Sequence, residues 1–189
     1  MAKVSFKPGT LLYPLPAVMV SCGTSLEDNN IITIAWTGTI CSDPPMCYIS
    51  VRKERFSHDI ISRTGEFVIN LTTETLARAT DWCGVKSGRE VNKFRELHLT
   101  PEQGQIVKAP LIKESPLNIE CQVVEIKELG SHDMFIANVV AVDADEQLID
   151  KGTGAFQLNH AHPLAYSHGK YYGLGDKMGG FGFSVKKKK

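Results

Sequence analysis

Hydrophobic and polar positions change period several times along the chain, and most of the apolar runs read as short strands. Ala17 to Cys22 (AVMVSC) and Ile31 to Trp36 (IITIAW) are apolar and partly β-branched. Met46 to Val51 (MCYISV) follows Pro44-Pro45, which sets an extended start. Phe67 to Leu71 (FVINL) follows Gly65. A long pair then covers Leu117 to Glu128 and Met134 to Val142. In its first member Ile119, Cys121, Val123 and Ile126 nearly alternate with polar residues, which predicts one buried and one wet face. Leu129-Gly130-Ser131-His132-Asp133 between them has hairpin composition. Helical stretches are few. Ser57 to Thr64 predicts a short helix with Ser57 as N-cap and Gly65 as its stop. Thr73 to Trp82 predicts a second. Ser87-Gly88-Arg89-Glu90 has capping-box spacing ahead of Val91 to Glu96. The strands are too many for a bundle and do not alternate regularly with helices. The expected fold is mainly β, an antiparallel barrel with a few short peripheral α-helices, and not a doubly wound parallel sheet.

Length and charge narrow this picture. The 189 residues suit a single domain, expected over residues 1–185, with Lys186 to Lys189 as a solvated, disordered basic tail. Lys+Arg and Asp+Glu both number 21, so general nucleic-acid binding is disfavoured. The longest apolar stretch, Leu11 to Val20, is interrupted by Pro14 and Pro16, whereas a spanning helix needs about 20 apolar residues. The start, MAKVSFKPG, lacks the apolar region of a secretory signal. The expectation is a cytoplasmic protein with no membrane partner. Five cysteines, an odd number with no CxxC pair, indicate neither a disulfide framework nor a zinc ribbon. Cys22, Cys47 and Cys121 lie in apolar stretches and read as small buried hydrophobes.

Four stretches can carry chemistry. Asn30 to Thr37 (NIITIAWT) can offer backbone N–H and C=O groups to a flat heterocycle, with Ala35 keeping the approach uncrowded; the plain alternative is a barrel strand with Trp36 in the core. Ser50 to Ser57 (SVRKERFS) places Arg52, Lys53 and Arg55 between a strand end and a helix start. A phosphate suits that spot, since a helix N-terminus presents free N–H groups and arginines supply charge-assisted bonds. One cation 4 Å from one phosphate charge is worth about 4 kcal/mol at an effective dielectric of 20, before desolvation. The alternative is a solvated loop with Glu54 pairing its neighbours. In Asp81 to Phe94 (DWCGVKSGREVNKF), Ser87 and Lys93 can reach an anion, although the capping box already accounts for Ser87; Cys83 has no paired histidine nearby to make it a nucleophile. In Asn159 to His168 (NHAHPLAYSH) the three histidines lack an HExxH helix, and Pro163 breaks any helix they would share, so no metal site is expected. Tyr166, His168, Tyr171 and Tyr172 can instead border a cofactor pocket. There is no GxGxxG, GxxxxGK[ST] or GxSxG.

Taken together, NIITIAWTGTICSDPPMCYISVRKERFS, TGEFVINL, DWCGVKSGREVNKF and APLIKESPLNIECQV resemble the flavin reductase-like family, whose members have the FMN-binding split-barrel fold, with flavoredoxin-like proteins the nearest by pattern. The pieces span about residues 10 to 175 in order. The resemblance implies non-covalent FMN and a homodimer with each site near the interface. It implies that Thr33, Ile34, Ala35, Trp36 and Thr37 lie along the isoalloxazine as a strand and bond its polar edge mainly through backbone. Ser50, Val51 and Arg52 would hold the ribityl chain and phosphate. Arg55 and Ser57 would complete the phosphate site, and Ser87 and Lys93 would approach the same end. Tyr166 and His168 are assigned to the cofactor as well.

Flavin chemistry then sets the expected function: an FMN-dependent oxidoreductase of the flavin reductase type, moving electrons from NADH or NADPH through FMN to flavin or another small acceptor. Hydride transfer needs no side-chain acid or base, so no catalytic side chain is assigned. Two alternatives stay open: a flavoredoxin-like electron carrier reduced by a redox protein partner, and a flavin-binding module without turnover. Free flavin, ferric complexes, quinones and a partner monooxygenase all remain acceptors.

Overall fold

The computed structural model describes residues 1–185; the lysine tail expected at 186–189 lies outside the described residues. The chain begins with strands β1 (Leu15–Pro16), β2 (Val18–Cys22), β3 (Asn30–Ile34), β4 (Thr37–Ser42) and β5 (Pro45–Arg52). Helix α1 (Phe56–Thr64) and β6 (Glu66–Leu71) follow. A 3-10 turn at Glu74–Leu76 then runs into α2 (Ala77–Val85), and α3 (Lys93–Glu96) is a single turn. Next come the short strands β7 (Pro101–Glu102) and β8 (Leu111–Ile112) and the long hairpin of β9 (Leu117–Glu128) and β10 (His132–Ala144). A small hairpin, β11 (Leu164–Ser167) and β12 (Lys170–Gly173), lies toward the C-terminus.

Seven strands form one antiparallel sheet in the order β3-β2-β6-β9-β10-β5-β4. Its two edge strands, β3 and β4, are consecutive in sequence and separated only by Ala35 and Trp36. The chain thus crosses from one edge of the sheet to the other in two residues, which can happen only if the sheet curls back on itself. The Ser50 N–H donates to the Trp36 carbonyl at 2.9 Å across this seam. The result is the mainly β antiparallel barrel that the strand pattern predicts, split where β3 hands over to β4. A separate sheet, β1-β11-β12, is built from the two ends of the chain.

Alternating residues of β2, β3, β5 and β6 fill the barrel: Val18, Val20, Ile32, Ile49, Val51, Phe67 and Ile69 are buried there with Phe135 of β10. Ile60 and Ile61 of α1 join the same cluster. The outer face of β2 and β3 is covered too, where Met19 and Ile31 pack against Leu76, Cys83 and Phe94 from the helical segment. Strands covered on both faces read as continuous apolar runs, which is why these two are plain in the sequence. Cys22, Cys47 and Cys121 are buried, as expected, and unpaired.

Several local expectations need correction. Gly65 does end α1, with φ +71° and its N–H donating to the Ile61 carbonyl, but the N-cap is Arg55 and no side chain caps the helix. Ser57 lies inside the first turn, buried, because its Oγ accepts from Asn30 Nδ2 at 2.8 Å. Ser87 starts no helix. The cap of α3 is Asn92, whose Oδ1 accepts from the Arg95 N–H at 3.0 Å. The predicted Thr73–Trp82 helix is a 3-10 turn followed by α2, which continues to Val85. The predicted strand Ile31–Trp36 ends at Ile34. Strands β4, β11 and β12 were not expected, since TGTICS, LAYS and KYYG lack a sustained alternation.

The wet face predicted for β9 is also wrong at one end. Asn118 and Glu120 are buried beneath the segment joining β7 to β8. The Glu120 carboxylate accepts from the backbone N–H groups of Gln105, Ile106 and Val107 at 2.7, 2.8 and 2.7 Å. Burial raises its pKa, but these donors outweigh that and hold it below the ordinary value. At the other end the pairing with β10 slips by one residue between Ile136 and Ala137, and beyond that bulge Val124 and Ile126 are both exposed.

Candidate functional site

The barrel seam opens into a cleft of about 390 Å³. One wall carries Thr33, Ile34, Ala35 and Trp36 at the seam and Ser50, Val51 and Arg52 at the end of β5. Trp36 is 36 % exposed and therefore not a core residue. Its ring packs on His132 with centroids 4.5 Å apart. Burial and the nearby Arg52 charge lower the His132 pKa, which favours a neutral imidazole there. The facing wall comes from α2 and the small sheet, with Asp81, Gly84, Tyr13, Tyr166 and Tyr171. Helix α2 lies close on β3: Thr33 Oγ1 donates to the Thr80 carbonyl, and a Cβ on Gly84 would come within 3.2 Å of Thr33 Cβ. This wall structure leaves a slot between a stretch of irregular backbone and a set of aromatic rings.

A second cleft of about 300 Å³ lies behind the first α1 turn and shares Ile32 and Arg55 with the first. Asn30, Ser57, Lys86, Ser87, Gly88 and Lys93 line it. The uncapped N-terminus of α1 supplies backbone donors without intrahelical partners and the positive end of the helix dipole. Lys93 is 3 % exposed, and its Nζ donates to the carbonyls of Ile31 and Cys83 at 2.7 Å each. No acidic side chain pairs with it among the described residues. Burial therefore lowers its pKa. A Cβ on Gly88 would lie 2.2 Å from Asn30 Oδ1, so only glycine lets this loop close on the Asn30–Ser57 bond. Arg89 fixes the rim, donating to the Glu54 carbonyl and to Asp59 and lying over the Phe56 ring. Cys83 is pushed up to about 11 by burial, so it offers no thiolate near neutral pH.

The structure brings twelve of the fourteen predicted site residues to these joined clefts. Thirty-three to thirty-six, Ser50, Val51, Arg52 and Tyr166 line the first, Ser57, Ser87 and Lys93 the second, and Arg55 both. Thr37 and His168 line neither. Thr37 is buried, its hydroxyl donating to the Tyr48 carbonyl at 2.6 Å. His168 sits in the β11–β12 turn with φ +48°, its ring 4.4 Å from that of Tyr13. Tyr13 and His132 in the first cleft were not anticipated; Asp81 in the first and Asn30 and Lys86 in the second lie in stretches singled out from the sequence but were given no role there. The hairpin composition around His132 and the N-terminal position of Tyr13 gave no signal of this. Among the described residues no three His, Cys, Asp or Glu side chains gather as metal ligands, and no helix is long and apolar enough to cross a membrane.

A split barrel with a long slot at its seam and a cationic pocket behind a helix N-terminus defines a ligand-binding class of β-barrel. A flavin reductase like domain matches residues 10–175, and the chain belongs to that family. The fold is similar to the flavoredoxin of Desulfovibrio vulgaris (Miyazaki F), with 30% identity and a TM-score of 0.89 over 98% of this chain and 100% of that one. It is similar to the flavoredoxin from Methanosarcina acetivorans, with 26% identity and a TM-score of 0.87 over the same shares. The high molecular weight rubredoxin of Moorella thermoacetica is 30% identical over 84% of this chain and 62% of its own length.

Proposed function

We propose that the chain holds FMN non-covalently across the two joined clefts and acts as an FMN-dependent oxidoreductase of the flavin reductase type, with NADH or NADPH as reductant. The observation that carries the reading is the junction at Ile32 and Arg55 of an aromatic slot with a cationic, helix-capped pocket. A flat ring and a phosphate joined by a flexible chain fit such a pair. Arg55, Lys93, Ser87 and the α1 N-terminus hold the phosphate; the uncapped helix and a buried ammonium lacking a carboxylate suit a dianion. Ser50, Val51 and Arg52 hold the linker. Backbone groups from Thr33 to Trp36 bind the ring edge, and Trp36 with His132 walls the ring in. When bound, FMN supplies the hydride and electron chemistry; the chain's own residues orient it and exclude water.

The test is direct. The purified protein is yellow and releases FMN on denaturation, and anaerobic NADH or NADPH bleaches the flavin absorbance in stopped flow. A colourless protein that also fails to bind added FMN overturns the cofactor reading. The likeness to two flavoredoxins favours a second reading, an FMN electron carrier served by a redox protein. Flavin that resists both nicotinamides but is reduced by a ferredoxin-like donor selects it.

The reading includes a homodimer. A third cleft of about 320 Å³, beside the first, is lined by Leu11, Leu12, Leu15, Trp36 and Met134, and exposed apolar faces of this kind are covered in assemblies. Light scattering that gives the mass of one chain overturns this part. The reading also keeps the protein in the cytoplasm, where free thiols such as the five here stay reduced.

A further inference from the structure

The first turn of α1 is tethered on two sides by consecutive residues. Ser57 is held to β3 through Asn30. His58 reaches the other way, to β10, with its Nε2 2.8 Å from Asp133 Oδ2. An ionised carboxylate only accepts, so Nε2 carries the hydrogen. Asp133 is buried and His58 nearly so, its ring edge-on to Phe135 with centroids 5.2 Å apart. Lys53, in the turn that leads into α1, lies 2.6 Å from Glu128 and 3.4 Å from Asp133 Oδ1. That second oxygen makes no hydrogen bond among the described residues, so the bond from His58 is what fixes the carboxylate. By charge alone, a buried carboxylate works against an anion at the α1 N-terminus. What it contributes there is position. Neither His58 nor Asp133 lines either cleft. Their bond nevertheless sets the direction of the free N–H groups of the first turn. Successive residues of a strand face opposite ways, so β10 holds α1 through Asp133 and packs His132 on Trp36.

We propose that His58 and Asp133 are positioning residues for the phosphate. Their bond aims the N–H groups of the first α1 turn into the second cleft, and β10 ties that turn to the His132–Trp36 wall of the first. The inference rests on the FMN reading above and adds to it two residues outside both clefts.

The flavin-stripped chain is titrated with FMN and with riboflavin, which lacks the phosphate, and binding is followed by flavin fluorescence. His58→Leu keeps an apolar contact with Phe135 and removes the donor; FMN affinity falls about tenfold while riboflavin affinity stays at the parent value. His58→Gln, whose Nε2 can donate to the same oxygen, restores most of the FMN affinity. The double variant His58→Leu, Asp133→Leu leaves no buried carboxylate without its partner, so it keeps the fold, as urea unfolding checks, and shows the same selective loss. Equal losses for both flavins in the double variant mean a general structural role and overturn the proposal. Unchanged FMN affinity overturns it too. So does FMN binding that tightens when Asp133 is removed, since charge would then outweigh position. A parent chain that binds neither flavin rejects the cofactor reading and this inference with it. A parent that prefers FMN, with a preference indifferent to these variants, rejects this inference alone.

Discussion

The cleft proposed for the ring and the cleft proposed for the phosphate touch through Ile32 and Arg55, yet they are built by opposite means. The first is shaped by backbone leaving a strand at Ala35 and by aromatic rings; each contact there is worth a small dispersion term, and the total comes from many. The second depends on a few groups with large individual effects: one buried ammonium, one guanidinium, Arg55, with no ion-pair partner among the described residues, and one uncapped helix end. The difference teaches where single substitutions are informative. Changes in the phosphate cleft should act as switches, and changes in the ring cleft as adjustments.

Lys93→Met is the sharpest way to break that contrast. It keeps length and removes the charge, and FMN affinity should fall by about 2–4 kcal/mol, read by fluorescence titration. A loss under about tenfold, 1.4 kcal/mol, would place the phosphate away from Lys93. Arg55→Ala and Arg52→Ala come next, each weakening FMN by about 1.5–3 kcal/mol if it makes one charge-assisted bond. Unchanged affinity in the double variant would show that neither arginine meets the phosphate. The two glycines offer a matched pair. Gly88→Ala forces Asn30 off Ser57 and should lower both Tm and FMN affinity, by about 1–3 kcal/mol. Gly84→Ala meets only Thr33 at 3.2 Å, so its effect should stay below about 1 kcal/mol. Equal effects at both glycines would contradict the contrast.

A pH series gives the smallest effect. The Lys93 pKa in the folded chain lies below 10.5, its ordinary value, chiefly through burial. Below the folded value the group is charged in both states, and the cost of burying it is fully present. As pH rises from there toward 10.5, only the folded state sheds the proton, so this group's contribution to stability rises. Urea unfolding of the FMN-free parent should gain stability over that window relative to Lys93→Met. Bound phosphate holds the proton on, so FMN affinity should weaken over the same window. A parent-to-variant difference flat in pH would mean that Lys93 is not titrating as a buried cation.

Much of this was legible in the chain, unevenly. Strands covered on both faces, β2 and β3, announce themselves as apolar runs. The stretch SVRKERFS, proposed for the phosphate, stood out because its cations are local. Cap positions were misplaced by two and five residues: Ser57 is claimed by Asn30, which lies 27 residues earlier, and a local rule has no access to that bond. Glu120 was misread as solvated because the loop that covers it starts beyond any periodic window. His132 carries no local signal, and Asp81, though it opens a stretch singled out in the sequence, was given no role there; each becomes a cleft residue only through the tertiary fold.

By itself the sequence determined the β-rich class and the family resemblance, and it marked the stretches proposed here to meet a ring and a phosphate by backbone and charge. Periodicity, glycine positions and clustered cations are properties of neighbouring residues, so they survive without a fold. The tertiary structure decided that β3 and β4 are opposite edges of one sheet, so that Ala35 and Trp36 form a seam and not the middle of a strand. It also decided that Lys93 is buried against carbonyls of Ile31 and Cys83, and that Asp81 of α2 lines the same cleft as Tyr13, Tyr166 and Tyr171 from the two ends of the chain. Those are long-range pairings, set by which surfaces must be hidden from water at once, and no stretch of the chain contains them alone.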